Sequence, residues 1–367
     1  MRGSKKREHA SGSSSITMDA HSDWEDLSSA VSEFPMVRRD LRDHFLHRVF
    51  PRLNMKEWIE HILSHVDRGS AVTFGGIARA LGDLRASRVV GEVIASGALR
   101  GPVHRVVYSD LRIPPPSIEV LSSEIETVLA GDEAWIARDP ALVSQGTSCQ
   151  PLKCLREMQD LTRPMVSRET GGRIDTLAGI DISSRGGVHA LAVTRHDPDG
   201  KLSDSLCLSG DLGLPYISGY LFYREAPLIL QGLSKGEDSG LLDEGTVLVM
   251  DGNGSLHPRM MGIATQVGVI SDRRTIGVTK RLLTGSVEED MAKDSRFRMA
   301  SVVSEGRTIG ASLSVSSTKP IYVSPGHGID LEMAVETVLR ATQTRIPEPI
   351  RWAHNLANEF RKNVENG

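Results

Sequence analysis

The sequence predicts an α/β domain, with helices flanking a mixed sheet, preceded by a small, mainly helical domain of the winged helix-turn-helix type. After about residue 150, short β-branched segments bounded by turn residues alternate with amphipathic segments. Strands that alternate with helices are typical of α/β domains. Before residue 114, three helical segments follow one another through short connections, and two of them end at a glycine.

Length and composition describe an ordinary globular protein. The chain has 367 residues, which corresponds to two or three domains at roughly 100–200 residues each. The net charge of −4 argues against a protein that coats nucleic acid by bulk electrostatics, although a local basic patch could still bind DNA. Three cysteines, no apolar run of ~20 residues and no signal peptide predict a cytoplasmic protein without a membrane segment.

Three regions are predicted along the chain. Residues 1–50 form a leader that is disordered to about residue 20 and continues as one or two helices. Residues 51–140 form the helical domain, with helices over 55–66, 72–82 and 84–97 and a closing helix over 117–131. A boundary lies near 139–148, and the α/β domain covers 150–367.

The strands and helices of the second domain are predicted from their patterns. The predicted strands are LAGIDIS, ALAVT, TVLVMDG, RTIGVTK, TIGASLSV and PIYVSPG, and the predicted helices are YLFYREAPLILQGL, DLEMAVETVLRAT and PIRWAHNLANEF.

Three acidic residues stand in apolar surroundings in this domain. Asp181 lies inside a strand, Asp251 ends another, and Glu225 lies on an apolar helix. A buried carboxylate is costly unless something pairs with it, so each one alone could belong to an ion pair or a helix N-terminus. Together they suggest a shared cation, and oxygen ligands without nearby cysteines favour Mg²⁺, or Mn²⁺ in its place. Carboxylate-held Mg²⁺ usually indicates phosphoryl chemistry.

Two further residues are candidates for a site. His327 follows a strand and a Pro-Gly turn, where it could transfer a proton or merely cap the next helix. Tyr216, in a glycine-containing segment, could stack on a flat ligand or wedge beside it.

In their order, the segments LAGIDIS, PYISGYLFYREAPL, VMDGNGSLHPR, TIGVTK, PIYVSPGH and PEPIRWAHNLAN closely resemble the endonuclease V family over roughly residues 150–362. The resemblance implies an RNase H-like fold and a Mg²⁺-dependent nuclease that nicks DNA near deaminated bases, chiefly hypoxanthine (deoxyinosine). It also implies a cut one nucleotide to the 3′ side of the lesion, which leaves a 3′-hydroxyl and a 5′-phosphate.

The resemblance also implies roles for individual residues. Asp181, Asp251 and Glu225 match the metal-binding and catalytic carboxylates, His327 the histidine near the attacking water, and Tyr216 the wedge that replaces a flipped base. Ser218 stands where the family usually has proline. The base pocket is matched by Gly219, Leu221, Gly252 and Ile263, and DNA-backbone and active-site contacts by His257 and Lys280.

The segments VTFGGIARALG, ASRVVG and GPVHRVV resemble the DNA-binding domain of the alkylguanine DNA alkyltransferases over about residues 55–113. Val103 stands where that family presents its reactive cysteine, and a thiolate is what accepts the alkyl group. The pattern is similar to the alkyltransferase-like subfamily, which binds lesions without repairing them. The lesion site implied by the resemblance consists of Phe74, Arg88, Val103, His104 and Arg105.

The sequence therefore predicts a fusion of a lesion-sensing module, with damaged DNA as partner, and an endonuclease V nuclease. Two other interpretations stay open at this stage: a non-catalytic DNA-damage binding protein, and a nuclease directed at inosine-containing RNA.

Overall fold

The computed structural model describes residues 22–137, 150–169, 172–288, 297–315 and 319–366, and the side chains from residue 27 onward. The predicted disordered leader up to residue 20 and the predicted boundary at 139–148 lie outside the described residues. Among the described helices, none combines the length and apolar character that crossing a membrane requires.

The helices expected between residues 24 and 50 are present. Helix α1 (Ser22–Ser32) is followed by α2 (Leu41–His44), which continues as a π-helical turn (Phe45–Val49) between 3₁₀ turns at Arg38–Asp40 and Phe50–Arg52. Phe45 is fully buried, and its ring meets Phe222 edge to face with 5.5 Å between centroids. Burying such a side chain stabilises a fold by about 1.5–3 kcal/mol. This segment is therefore an integral layer on the C-terminal part of the chain.

The N-terminal domain (residues 54–136) contains the predicted helix-turn-helix. Its helices are α3 (Met55–Ser64), α4 (Phe74–Ala80), α5 (Ser87–Ala95) and α6 (Ile118–Ser122). Asn54 caps α3 and Thr73 caps α4 through their side-chain oxygens, as polar residues at the N-cap position do. A two-stranded parallel sheet, β1 (Val72–Thr73) with β2 (Val106–Val107), closes the domain.

The closing helix predicted over 117–131 is wrong beyond α6. Instead, β3 (Thr127–Ala130) and β4 (Glu133–Ile136) form an antiparallel hairpin. The two residues between the strands begin with Gly131, whose φ of 63° is a conformation that glycine adopts readily in two-residue hairpin turns. The turn therefore overrides the helical pattern.

The C-terminal domain (residues 150–366) is built on a nine-stranded mixed sheet in the order β10-β11-β12-β13-β9-β8-β5-β6-β7. The strands are β5 (Leu177–Arg185), β6 (Val188–His196), β7 (Leu202–Ser209), β8 (Val247–Asp251), β9 (Thr275–Thr279), β10 (Ser286–Val287), β11 (Phe297–Ser304), β12 (Arg307–Val315) and β13 (Ile321–Pro325). Strands β5, β8 and β9 are parallel to one another, and the remaining pairings are antiparallel. The predicted α/β fold with a mixed sheet and a preceding helical domain is confirmed.

Five helices accompany this sheet: α7 (Pro151–Thr162), α8 (Leu221–Asp238), α9 (Ile263–Ser271), α10 (Leu331–Arg340) and α11 (Glu348–Asn366). One apolar core packs α10 and Ile350 against β9, β12 and β13. A larger core contains residues of both domains, including Phe45, Trp58, Val90, Ile180 and Tyr223. The two domains are therefore packed together through shared buried side chains.

Candidate active site

Asp181 and Asp251 lie side by side at one edge of the sheet. Strands β5 and β8 run parallel with Ile180 opposite Met250, so the next residue on each strand reaches the same level. The carboxyl ends of neighbouring parallel strands are where ligands usually bind in α/β sheets. The sheet register thus brings together two carboxylates that are 70 positions apart in the chain.

Glu225 faces these aspartates from the second turn of α8. Burial raises its pKa to about 8, the negative charges of Asp181 and Asp251 add to the increase, and Arg224 opposes it. Burial and Asp181 likewise raise the pKa of Asp251, against the effect of Lys280. Close, desolvated carboxylates disfavour one another's charged forms. A third ionised carboxylate is therefore disfavoured in this cluster unless a cation joins it.

Two cationic side chains reach the aspartates from other elements. Lys280, just after β9, places its Nζ 2.9 Å from Asp251 Oδ2. His354, on α11, places its Nδ1 2.7 Å from Asp181 Oδ2, and this hydrogen bond raises the pKa of the imidazole. This position of Lys280 is compatible with the expected active-site contact, which stays a prediction. His354 belongs to a segment quoted for the resemblance, but the sequence interpretation assigned it no role.

A chain of hydrogen bonds orients His354. Arg361 Nε donates to Ser183 Oγ over 2.8 Å, and that hydroxyl donates to Asn358 Oδ1 over 2.7 Å. The amide Nδ2 of Asn358 consequently faces His354 Nε2, 3.0 Å away. In the neutral imidazole this arrangement leaves the proton on Nδ1, directed at Asp181.

The carboxylates could hold a hard divalent cation. Within the described ranges no group of three His, Cys, Asp or Glu side chains is already arranged to hold a metal ion. His354 and Lys280 each bond one of the two aspartates. The carboxylate oxygen donors nevertheless fit Mg²⁺ or Mn²⁺ in chemistry. Asp181, Glu225 and Asp251 are the residues that could hold it.

A cavity of about 450 Å³ opens directly beside Asp251. It is lined by all seven residues that the resemblance implied for base and DNA contacts: Tyr216, Gly219, Leu221, Gly252, His257, Ile263 and Lys280. Tyr216 stands at its rim with 62% of the residue surface exposed. An exposed aromatic ring beside a lined cavity is suited to fill the space that a flipped base leaves.

The segment that carries Tyr216 is called the wedge loop here (residues 215–220). The side chain of His257 contacts its backbone. Gly219 has a φ of 87°, which favours glycine, and its carbonyl oxygen lies 3.2 Å from His257 Nε2. The other ring nitrogen of His257 accepts the Arg259 backbone N–H over 3.2 Å. Burial lowers the pKa of His257 to about 4. The ring thus supports the wedge loop with both nitrogens engaged, and its expected DNA-backbone contact stays a prediction.

The predicted catalytic position of His327 is wrong. Its Nδ1 accepts the Ser167 backbone N–H over 3.1 Å, and its Nε2 lies 3.3 Å from Arg38 Nη1. Burial, followed by Arg38, lowers its pKa to about 4. Because β13 runs antiparallel to β9, it carries His327 to the sheet edge opposite Asp251.

The N-terminal domain has a separate cavity of about 830 Å³. Phe74, Arg88 and Val103 line it, together with Tyr108, so three of the five residues implied for a lesion site share one cavity. His104 and Arg105 do not line this cavity, because their side chains contact the carboxylate of Glu124 instead. Arg105 Nε donates to Glu124 Oε2 over 2.7 Å, and His104 Nε2 lies 3.4 Å from Oε1. These contacts anchor the local fold, and the expected role of both residues in the lesion site stays a prediction.

Comparison with known proteins identifies the larger domain. The family model "Endonuclease V" matches residues 159–355, which is more than half of the chain.

The chain belongs to the endonuclease V family.

A second family model, the DNA-binding domain of 6-O-methylguanine DNA methyltransferase, matches residues 54–124. Endonuclease V of Gloeobacter violaceus is 32% identical over 231 residues, which cover 61% of this chain and 92% of the relative. A bifunctional methyltransferase/endonuclease of Picrophilus torridus is 27% identical over 318 residues, covering 85% and 98% respectively. This endonuclease V is therefore fused to an alkyltransferase DNA-binding domain, as the sequence predicted.

A solved structure shares the fold of the endonuclease V domain. Ciona intestinalis endonuclease V, in complex with a DNA containing an inosine followed by a ribo-adenosine, has a TM-score of 0.52 and 26% identity. The match covers 59% of this chain and 99% of the Ciona chain. The larger domain is accordingly a nuclease domain of this family.

Proposed function

We propose that this endonuclease V nicks DNA that contains deaminated bases, chiefly hypoxanthine, and that its fused domain senses lesions without repairing them. The observation that carries the proposal is the cavity bordered by Asp251 at one end and the exposed Tyr216 at its rim. The inosine-containing DNA bound by the Ciona relative supports hypoxanthine as the base.

Base flipping explains why a cavity and a wedge occur together. Removing a base from the stack costs a few kcal/mol, and least for a mismatched pair, so deamination itself favours extrusion. The Tyr216 ring would occupy the gap while the base enters the cavity lined by Leu221 and Ile263. Stacking on an aromatic ring contributes about 1–3 kcal/mol.

Hydrolysis is assigned to the carboxylate edge. Mg²⁺, or Mn²⁺ in its place, when held by Asp181, Glu225 and Asp251, supplies positive charge to the scissile phosphate. Lys280 Nζ, beside Asp251, is placed to donate to a phosphate oxygen. His354, which Asp181 makes more basic, is placed to accept or return a proton. The expected products are a 3′-hydroxyl and a 5′-phosphate, one nucleotide to the 3′ side of the lesion.

The fused domain has no nucleophile where alkyl transfer needs one. A thiolate accepts the alkyl group in that chemistry, and Val103 stands at this position in the N-terminal cavity. Among the described residues, neither Cys154 nor Cys207 lines that cavity. The Picrophilus relative is described as a methyltransferase, whereas here we infer binding alone. Sensing would raise the effective concentration of the nuclease near alkylated bases.

Two other functions have an observation in their favour. The ligand set for a cation is incomplete within the described part of the chain, which suits a non-catalytic DNA-damage binding protein. The Ciona complex contains a ribo-adenosine after its inosine, which suits a nuclease directed at inosine-containing RNA. Lys280 and His354 beside the carboxylates favour the catalytic interpretation, and the fused DNA-binding domain favours DNA.

The decisive experiment is Mg²⁺-dependent cleavage mapping on duplexes that each carry one defined lesion, with inosine-containing RNA alongside. Nicking of hypoxanthine DNA at one position, lost in Asp251→Ala while duplex binding remains, is expected. Preferential cleavage of the RNA would replace DNA as the substrate. Substantial activity of the Asp251→Ala protein, or none in the wild type, would refute the assigned site.

A further inference from the structure

The carboxylate of Asp83 joins the two domains. Asp83 lies in the turn between α4 and α5, and its side chain is 8% exposed. Its Oδ2 accepts the Tyr220 hydroxyl over 2.6 Å, Arg156 Nη1 over 2.8 Å and Arg85 Nη2 over 2.7 Å. Two of these three donors come from the nuclease domain. Burial acts to raise the pKa of Asp83, but hydrogen bonds from Arg85 and Tyr220 outweigh it and hold that pKa well below its usual range.

Arg85 extends this junction to the wedge loop. Its guanidinium lies 5.6 Å from the centre of the Tyr220 ring. A Cβ placed on Gly219 would lie only 3.0 Å from Arg85 Nη1, so the guanidinium packs directly on the loop backbone. From the other side, Gln159 Nε2 donates to the Gly219 carbonyl over 3.1 Å. The wedge loop is therefore held between the helix-turn-helix and α7.

The backbone on the helix-turn-helix side is itself fixed against α7. The Leu152 N–H donates to the Leu81 carbonyl over 2.9 Å. Gly82 has a φ of 99°, and a Cβ there would meet Lys153 N at 2.9 Å. The contact is thus too close for a side chain, and Asp83 has little freedom to move relative to the nuclease domain.

The junction also lies between the two cavities. Arg85 contacts the wedge loop, whose Tyr216 borders the nuclease cavity. Arg88, three residues later and about one helical turn away, lines the cavity of the N-terminal domain. A short stretch of the helix-turn-helix consequently touches the recognition elements of both domains.

We propose that Asp83 and Arg85 are positioning residues for lesion recognition by the nuclease. They hold the wedge loop, and with it Tyr216, in the geometry that distinguishes a hypoxanthine-containing duplex from an undamaged one. The N-terminal domain is then a structural part of the nuclease's own recognition site, in addition to any lesion that it binds itself. This inference rests on the proposed hypoxanthine specificity.

The test compares variants of the full chain. Dissociation constants for a short duplex with one central hypoxanthine, and for the undamaged duplex, are measured by fluorescence anisotropy in metal-free buffer. Nicking is measured separately with Mg²⁺. Arg85→Ala and Asp83→Asn should each reduce the binding preference for hypoxanthine about tenfold. Arg85→Ala removes the guanidinium that packs on the wedge loop, and Asp83→Asn removes the charge that strengthens the hydrogen bond from the Tyr220 hydroxyl. Arg79→Ala removes the same charge from exposed α4 and should preserve the preference.

A second pair of variants separates positioning from stability. Tyr220→Phe removes the hydroxyl that bonds Asp83, whereas Tyr223→Phe removes an equally buried hydroxyl that bonds the Leu155 carbonyl within the nuclease domain. Both should lower the thermal unfolding temperature. A loss of hypoxanthine preference is expected only for Tyr220→Phe, with KM raised and kcat retained.

The outcomes separate this inference from the proposed function. A wild-type preference for hypoxanthine in folded Arg85→Ala and Tyr220→Phe would overturn the positioning role while leaving hypoxanthine nicking intact. Equal binding of both duplexes by the wild type would overturn both. If the wild type does not nick DNA but its binding preference for hypoxanthine still depends on Arg85, the positioning role is supported and only the nuclease assignment is refuted.

Discussion

The imidazole Nδ1 of His354 lies 2.7 Å from Asp181 Oδ2, although 173 residues separate the two in the sequence. Helix α11 packs across β5, which is how its second turn meets a residue in the middle of that strand. Among the described histidines, the one at the carboxylates is therefore His354, and His327 lies at the opposite edge of the sheet.

This relationship gives a direct comparison of two histidines. His354→Ala should lower the rate of hypoxanthine-DNA nicking at saturating substrate by about 10²–10⁴-fold, the usual contribution of a positioned acid or base. His327→Ala should leave the rate per folded molecule unchanged, although loss of a buried side chain lowers stability. Single-turnover kinetics with circular dichroism as the folding control measure both. Equal losses in the two variants would contradict the assignment.

Tyr216 is expected to act in recognition. Tyr216→Ala should weaken binding of hypoxanthine DNA by about 1–3 kcal/mol through lost stacking, while the cleavage rate of bound substrate changes little. Tyr216→Phe keeps the ring and should keep the preference. Competition binding against undamaged duplex is the measurement, and an unaltered preference in the alanine variant would count against the wedge.

Glu225 should make the metal-free protein less stable at high pH. Its pKa is raised from 4.5 to about 8, so the folded state binds the proton more tightly than the unfolded state. Stability from this group is present below pH 4.5 and is lost as pH rises towards 8. Glu225→Gln should therefore raise the free energy of unfolding in EDTA at pH 8 by on the order of 2 kcal/mol, with less gain at pH 5, while it abolishes nicking.

Urea denaturation at the two pH values checks this expectation. Glu244→Gln, at an exposed position of the same domain, should show no such pH-dependent gain. Added Mg²⁺ should reduce the difference in the free energy of unfolding between wild type and Glu225→Gln, because a bound cation stabilises the ionised carboxylate. If the free energies of unfolding of wild type and Glu225→Gln differ by the same amount at both pH values, Glu225 does not face the aspartates in solution.

Filling the N-terminal cavity should impair binding of alkylguanine DNA without affecting recognition of hypoxanthine by the nuclease domain. Val103→Phe places a ring in the space of about 830 Å³ and should weaken binding of an alkylguanine duplex by at least about tenfold, as expected for blocking a pocket. Nicking at hypoxanthine should be unaffected. Val120→Phe adds the same volume at an exposed position and serves as the control. Unchanged alkylguanine binding in Val103→Phe would place that lesion elsewhere.

Much of the fold follows from local patterns. All six strands predicted from β-branched segments exist, as do the helices α8, α10 and α11. Strand β7 was not predicted because its polar residues lie at an exposed sheet edge. Helix α9 was not predicted because it is buried nearly all round, and a helix that is apolar on every side shows no periodicity.

In the candidate site too, local patterns predicted some residues, whereas the positions of others depend on tertiary packing. Asp181 and Asp251 could be predicted because an acidic residue inside or at the end of an apolar strand is a local signal, and Glu225 because it interrupts an apolar helix face. The end of the sheet at which His327 lies depends on the direction of β13, which no local pattern encodes. His354 has an ordinary helical context, and only the packing of α11 on β5 gives it a partner.

The core that runs from Phe45 and Trp58 to Ile180 and Tyr223 makes the two domains mutually dependent. Cutting the chain between residues 138 and 149 should leave two fragments that remain associated under native conditions. A gene divided at that point would encode two polypeptides with large apolar faces, each prone to aggregate without the other. Selection on either half is then selection on both, because mutations that destabilise the N-terminal domain also expose the apolar face of the C-terminal domain.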